Sequence, residues 1–238
     1  MLVTNFHLKY MLYRIIMAGY QLLDTGQMHP VRERAKRALL SSVDYIDSSM
    51  QDALGFETQR ELLEYSLMQA PAQGHYLEFG VFSGGTIRHT AKRKPDVTIH
   101  GFDSFEGLPS AWGGFSLGAG AFSRDGKLPS VPSNVVLHKG WFSNTIPPWK
   151  QQYGGTIAFV HIDCDLYSST VDILEGLVEH MRPGTVILFD EYFNYPGWER
   201  HEFKAWKEFV AAHDVKYEYL GYARQQVLVR IVSLGHAS

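Results

Sequence analysis

The chain has 238 residues, long for one simple domain and short for two full ones, so its length points to one α/β domain with an added segment. Apolar residues make up 45% and charged residues 20%, ordinary globular values that exclude an intrinsically disordered chain. A net charge of −3 leaves no positive excess to hold a phosphate backbone, so no nucleic-acid partner is expected. The single cysteine, Cys164, excludes an intrachain disulfide framework and a cysteine-rich zinc site.

Residues 6–23 form the most apolar stretch, but Lys9 and Arg14 lie inside it. A membrane span wants about 20 mostly uncharged apolar residues, so no transmembrane segment is expected. The opening MLVTNFH has no basic region and no small-residue cleavage site follows cleanly, so it does not read as a signal peptide. Together with the lone cysteine, this gives a cytoplasmic expectation. The stretch reads as an amphipathic helix that packs on the main domain or on a second subunit, which predicts a homo-oligomer formed through the N-terminal helices. A helix lying on a membrane surface is the alternative. In residues 31–68, RERAKRALL and TQRELLEYSLM place apolar residues three and four apart, as amphipathic helices require. Pro71 and Gly74 then break the pattern, so residues 1–73 are predicted to be an N-terminal helical extension and residues 74–238 the main domain.

After Gly74, short runs rich in Val, Ile and Phe alternate with helical stretches. HYLEFGV, VTIHGFD, NVVLHKG, TIAFVHID and GTVILFDEY read as strands; IRHTAKR, STVDILEGLVEHM and EFKAWKEFVAAH read as helices. That alternation predicts an α/β fold with a parallel sheet wrapped by helices on both faces. The final runs, VKYEYLGYA and QQVLVRIVS, leave no room for a helix between them and predict an antiparallel edge hairpin. The result is a seven-stranded, mostly parallel sheet of order 3-2-1-4-5-7-6. Residues 107–133 are rich in glycine and proline with no periodicity, and a loop of that length reads as a mobile lid, with a plain surface insertion as the alternative.

The run YLEFGVFSGGTIRHTA reads strand, turn, helix, with Gly80, Gly84 and Gly85 allowing close approach to a ligand. Its spacing is not that of a dinucleotide fingerprint, and Thr86 stands where a P-loop needs lysine. Glu78 would repel a pyrophosphate; an acid there suits a zwitterion such as the amino-acid end of S-adenosylmethionine. Asp103, at the end of the next strand, is placed to accept hydrogen bonds from ribose hydroxyls. Gly140, Trp141 and Phe142 follow a third strand end and would give an adenine aromatic neighbours.

HIDCDLYSST puts Asp163 and Asp165 at one strand end, and GTVILFDEYF puts Asp190 and Glu191 at the next. Carboxylates gathered on one rim repel each other unless a cation lies between them. Oxygen ligands favour a hard divalent cation, Mg²⁺ or Ca²⁺.

The pieces EFGVFSGGT, FDSFEGLP, GWFSNTIP, HIDCDLYSST, PGTVILFDEY and KAWKEF, in this order and spacing, resemble the macrocin O-methyltransferase family of sugar methyltransferases. The resemblance implies a Rossmann-like class I methyltransferase fold, S-adenosylmethionine as cofactor, Mg²⁺, and a sugar hydroxyl as acceptor. Carried over by position, it puts Glu78, Phe79, Gly80, Ser83, Gly84 and Thr86 around the methionine end, Asp103 and Ser104 at the ribose, and Gly140, Trp141 and Phe142 beside the adenine. It makes Asp163, Asp190 and Glu191 the metal ligands, with Asp163 also bordering the cofactor. The family usually has two aspartates where this chain has Asp190-Glu191, and the segment FNYPGWERHEF is longer than usual.

Methyl transfer requires the acceptor oxygen to be held in line and made nucleophilic. Asp163 and Asp165 are the nearest candidate bases, and His201 is a third. The reading is a metal-assisted O-methyltransferase acting on a sugar or glycosylated small molecule. Its competitors are a catechol-type O-methyltransferase and a non-catalytic S-adenosylmethionine-binding module.

Overall fold

The computed structural model describes residues 29–113 and 117–235. The amphipathic stretch at residues 6–23 lies outside the described residues, as does Phe115 in the expected lid.

Seven strands form where the apolar runs predict them: β2 (His75–Phe79), β3 (Ile99–Asp103), β4 (Val135–Lys139), β5 (Ile157–Ile162), β6 (Val186–Phe189), β7 (Lys216–Ala223) and β8 (Gln226–Ser233). An eighth, β1 (Leu54–Gly55), precedes them. The sheet runs β4-β3-β2-β5-β6-β8-β7-β1, and counting only the seven longer strands this is the predicted order 3-2-1-4-5-7-6. Strands β2 to β6 pair in parallel, and β8 runs antiparallel between β6 and β7. The count of seven is corrected to eight. The added strand pairs in parallel with Gly221 and Tyr222 of β7. Two residues carry no periodicity to read. Gly55 packs closely on Tyr222, where a Cβ would lie 3.0 Å from the hydroxyl.

The segment before residue 74 is therefore not helical throughout. Helices α1 (Pro30–Ser49) and α2 (Gln59–Gln69) flank β1. Proline at the first position opens α1, and Thr58 and Glu61 close a reciprocal capping box on α2. The buried side of α1, at Ala38 and Ser42, packs on the loop after β6, where Ser42 Oγ accepts the backbone N–H of Asn194 at 2.8 Å.

Between the strands run α3 (Gly85–Arg93), α4 (Phe142–Gln152), α5 (Tyr167–Leu177) and α6 (Glu202–Ala212). Helix α4 was masked in the sequence by Pro147 and Pro148, which remove two helical donors. It forms because Ile146 and Trp149, 2% and 1% exposed, are buried in the core. Two apolar clusters fill the two faces of the sheet, one under α4, α5 and α6 and one under α2 and α3. No helix among the described residues is long and apolar enough to cross a membrane.

Candidate functional site

The carboxyl ends of the parallel strands form a stepped rim, because each first residue past a strand bonds back to the neighbouring strand. Gly80 N–H donates to Phe102 O, Asp163 N–H to Phe79 O, Asp190 N–H to Ile162 O and Gly140 N–H to Asp103 O, all at 2.8–2.9 Å. At Gly80 the backbone has φ +97°, and a Cβ there would lie 1.6 Å from the Asp163 carbonyl oxygen. Glycine is thus required for β2 and β5 to close together at the middle of the rim.

A cavity of about 460 Å³ opens at this point, in the range of small-molecule sites. Of the residues expected around the cofactor, Gly80, Asp103, Ser104, Trp141, Phe142 and Asp163 line it. Asp165 and Glu191 line it as well, and the loop after β3 contributes Leu108, Trp112 and Phe122. A second cavity of about 310 Å³ lies between α2 and α3. It is lined by Arg60, Thr86, His161, Asp190 and Gln226, and it shares Asp163 with the first.

The remaining expected cofactor residues support the rim from outside the first cavity. Phe79 is buried and stacks on Phe102. Ser83 and Gly84 form the turn into α3, where Arg88 Nη1 donates to Ser83 O at 2.8 Å. Gly140 turns the chain after β4 with φ +141°. Asp103 has both carboxylate oxygens engaged: Oδ2 accepts from the N–H groups of Val81 and Phe82 at 2.9 and 2.7 Å, and Oδ1 from Phe105 N–H at 2.7 Å. It ties the glycine turn to the loop after β3, and of about four lone-pair positions one is left for a ligand hydroxyl.

The acids fall into two groups within ligating distance of one another: Asp163 with Asp165 and Glu191, and Asp163 with Asp190 and His161. The expected metal triad is thus divided, with Asp163 common to both groups. Burial pushes the Asp163 and Glu191 carboxyls well up, with Asp190 adding repulsion to each. Burial, then Asp190, raises Asp165 to about 7. Asp190 moves the other way. Burial opposes its charge, but hydrogen bonds from His161 and Gln226 Nε2 hold it below the usual carboxylate range.

Asp165 also sits at the apex of a tight turn. Leu166 N–H donates to Cys164 O at 2.6 Å while Asp165 has φ +64°, a strained γ-turn geometry of the kind found at functional sites. His201 joins neither group. Its Nε2–H donates to Gly113 O at 2.9 Å, burial lowers its pKa, and it does not line the first cavity.

Sequence reasoning missed His161 and Glu202. His161 bridges Glu78 and Asp190 at 3.4 and 3.2 Å, and burial, which alone would depress its imidazolium, is overcome by these two carboxylates, so its pKa is raised. Burial raises Glu78, and His161 offsets part of that rise. A signal for the pair was present: Glu78 stands two residues before Gly80 and His161 two before Asp163, and the register pairs them side by side. Glu202, fully buried at the start of α6, accepts Glu191 N–H on Oε2 at 3.0 Å.

Residues 77–192 match the family described as a methyltransferase domain. The chain is 28% identical over 147 residues to the 8-demethyl-8-(2,3-dimethoxy-alpha-L-rhamnosyl)-tetracenomycin-C 4'-O-methyltransferase of Streptomyces olivaceus, covering 50% of this chain and 53% of the relative. It is 27% identical over 151 residues to the demethyldecarbamoylnovobiocin O-methyltransferase of Streptomyces niveus, covering 52% and 54%. The chain thus spans about half the length of the curated relatives it matches. Among solved structures it is similar to the calicheamicin methyltransferase CalS11, with TM-score 0.59, 20% identity and 87% and 93% of the two chains covered. It is also similar to the O-methyltransferase NovP, with TM-score 0.55, 24% identity and 72% and 78% covered. These likenesses establish the class I methyltransferase fold, and the O-methyltransferase resemblance read from the motifs is borne out by the named relatives.

Proposed function

We propose that the chain is an S-adenosylmethionine-dependent, divalent-metal-assisted O-methyltransferase acting on a hydroxyl of a sugar or glycosylated small molecule. The observation that carries this reading is one cavity lined by Gly80 and Asp103 together with the carboxylates of Asp163, Asp165 and Glu191. The names of the relatives supply the acceptor class.

The residues fit both groups. Gly80 lines the cavity with main chain alone, Asp103 keeps a lone pair free, and Trp141 and Phe142 offer flat apolar surface for an adenine. The Asp163, Asp165 and Glu191 set offers oxygen donors alone, and Glu191 Oε2 is buried without a hydrogen-bond partner among the described residues. A hard cation would relieve that repulsion. When bound, S-adenosylmethionine supplies a methyl group on a sulfonium and the cation lowers the pKa of a hydroxyl beside it.

The chain's own residues do the rest. Thr86 and Gly80 flank the methionine end, Asp103 orients the ribose, and Asp163 stands between the two cavities. Asp165, presented by its strained turn, takes the acceptor proton on a carboxylate oxygen. Trp112 and Phe122 shield the cavity from water. We assign the catalytic unit to residues 74–238, in a cytoplasmic setting that the buried thiol of Cys164 tolerates. Homo-oligomerisation through the N-terminal helices is supported by Val31, Leu39, Leu40 and Val43, which α1 leaves exposed.

The test is turnover of S-adenosylmethionine against a panel of glycosylated and free hydroxylated acceptors while Mg²⁺ is titrated. Turnover is expected to require Mg²⁺, to vanish in EDTA, and to vanish in Glu191→Ala while S-adenosylhomocysteine still binds. Full activity in EDTA removes the metal from the reading. Binding of NADH without S-adenosylmethionine removes the reading itself.

A further inference from the structure

We infer that Glu202 is a positioning residue of the acidic rim: its buried carboxylate grips the main chain of Glu191 and thereby fixes where that side chain presents its oxygens. The inference deepens the metal-assisted reading and depends on it only for the metal readout below.

The ladder between β6 and β8 ends at Phe189 paired with Val227, so Glu191 lies beyond it. Its two neighbours are still held by backbone, Asp190 N–H on Ile162 O and Tyr192 N–H on Gln225 O. The main chain of Glu191 itself is held by two side chains. Its N–H donates to Glu202 Oε2 at 3.0 Å, and its carbonyl accepts from the Tyr195 hydroxyl at 3.1 Å. Both holders are buried, Glu202 at 0% and Tyr195 at 1% exposure. The Glu191 side chain then reaches Asp163 and Asp165 across the cavity.

A single backbone N–H does not need an acid to satisfy it. Burying a carboxylate beside other carboxylates is costly, and Glu202 Oε1 has no hydrogen-bond partner among the described residues. The start of a helix offsets part of that cost. What the glutamate gives in return is geometric. It reaches from α6 across to the rim and leaves Glu191 one main-chain position, as outer partners do for metal-binding side chains.

Three variants test this. Glu202→Gln keeps an acceptor oxygen and the volume; Glu202→Ala and Glu202→Leu keep no acceptor, and leucine preserves the packing. Amide hydrogen exchange at Glu191, which needs no metal, is expected to stay slow in Glu202→Gln and to become fast in the other two. Mn²⁺ affinity, measured by calorimetry with S-adenosylhomocysteine affinity as the folding control, is expected to fall about 10–100-fold in Glu202→Ala and Glu202→Leu and to hold in Glu202→Gln. Slow exchange at Glu191 in all three variants overturns the inference. So does an equal loss of Mn²⁺ affinity in Glu202→Gln, which would make the charge, not the position, the contribution. Absence of Mn²⁺ binding to the unaltered protein refutes the metal reading and leaves the exchange experiment to decide the role of Glu202.

Discussion

Replacing Gly80 by alanine tests whether the rim is built on the contact between β2 and β5. The new Cβ would lie 1.6 Å from the Asp163 carbonyl oxygen and 2.7 Å from its carbonyl carbon. Both are backbone atoms, so no side-chain rotation relieves the clash, and the strand ends must part. The left-handed backbone at Gly80 adds about 1–2 kcal/mol of strain for a residue with a Cβ. Overpacking a close contact adds about 1–3 kcal/mol. The sum, about 2–5 kcal/mol, is a large part of the stability of an ordinary domain. For a chain of this size it lowers the melting temperature by about 4–20 °C. Because Gly80 and Asp163 both line the cavity, S-adenosylhomocysteine affinity is expected to fall as well. Gly85→Ala is the control. Gly85 opens α3 and a Cβ there meets nothing within 4 Å, so the change is expected to be neutral or stabilising by up to about 1 kcal/mol. Thermal unfolding and calorimetry on both variants decide the matter. A Gly80→Ala protein that melts and binds like Gly85→Ala refutes the reasoning.

Asp103→Asn replaces a carboxylate oxygen that accepts backbone N–H groups with an amide nitrogen that cannot; with charge-assisted bonds worth about 1.5–3 kcal/mol each, it is expected to lower both melting temperature and S-adenosylhomocysteine affinity. Unchanged values of both would show that Asp103 neither ties the loops nor meets the ligand. His100, hydrogen-bonded to His138 at 3.1 Å and flanked by His75, Trp149 and Tyr153, has its pKa lowered from 6.5 to about 4, first by burial and then by the other two histidines. Between those values the unfolded chain binds the proton that the folded chain refuses, so stability falls as pH drops from about 6.5 to 4, by at most about 3.5 kcal/mol. Denaturant unfolding of His100→Gln across that window is expected to show a flatter pH dependence than the unaltered protein, and parallel curves would assign the acid sensitivity elsewhere.

The strands and their order were legible because each parallel strand is an apolar run closed by a change of residue type. The IAFV of β5 is buried on both faces, and Asp103, Asp163 and Asp190 each mark the point where a strand reaches the rim. What stayed illegible was held by contacts between segments far apart in sequence. β1 is two residues paired with β7, more than 160 positions away, and α4 forms because burial of Trp149 outweighs two prolines that locally disfavour a helix.

The site divides along the same line. Residues at strand ends, such as Asp163 and Glu191, could be read from position alone, since a parallel sheet carries its strand ends to one rim whatever the loops do. Residues that hold those ends in place could not. Glu202 lies in a run, EFKAWKEF, that reads as an ordinary amphipathic helix with an acid in its first turn, where an acid needs no explanation. Only its complete burial separates it from Glu208 on the same helix, which is exposed and bonds to the Tyr167 hydroxyl at the surface. Two glutamates of one helix thus have opposite costs: the exposed one is nearly free, and the buried one is retained against desolvation and like charge. That difference makes Glu202, rather than the better-advertised His201, the residue outside the motifs with the stronger claim on the rim.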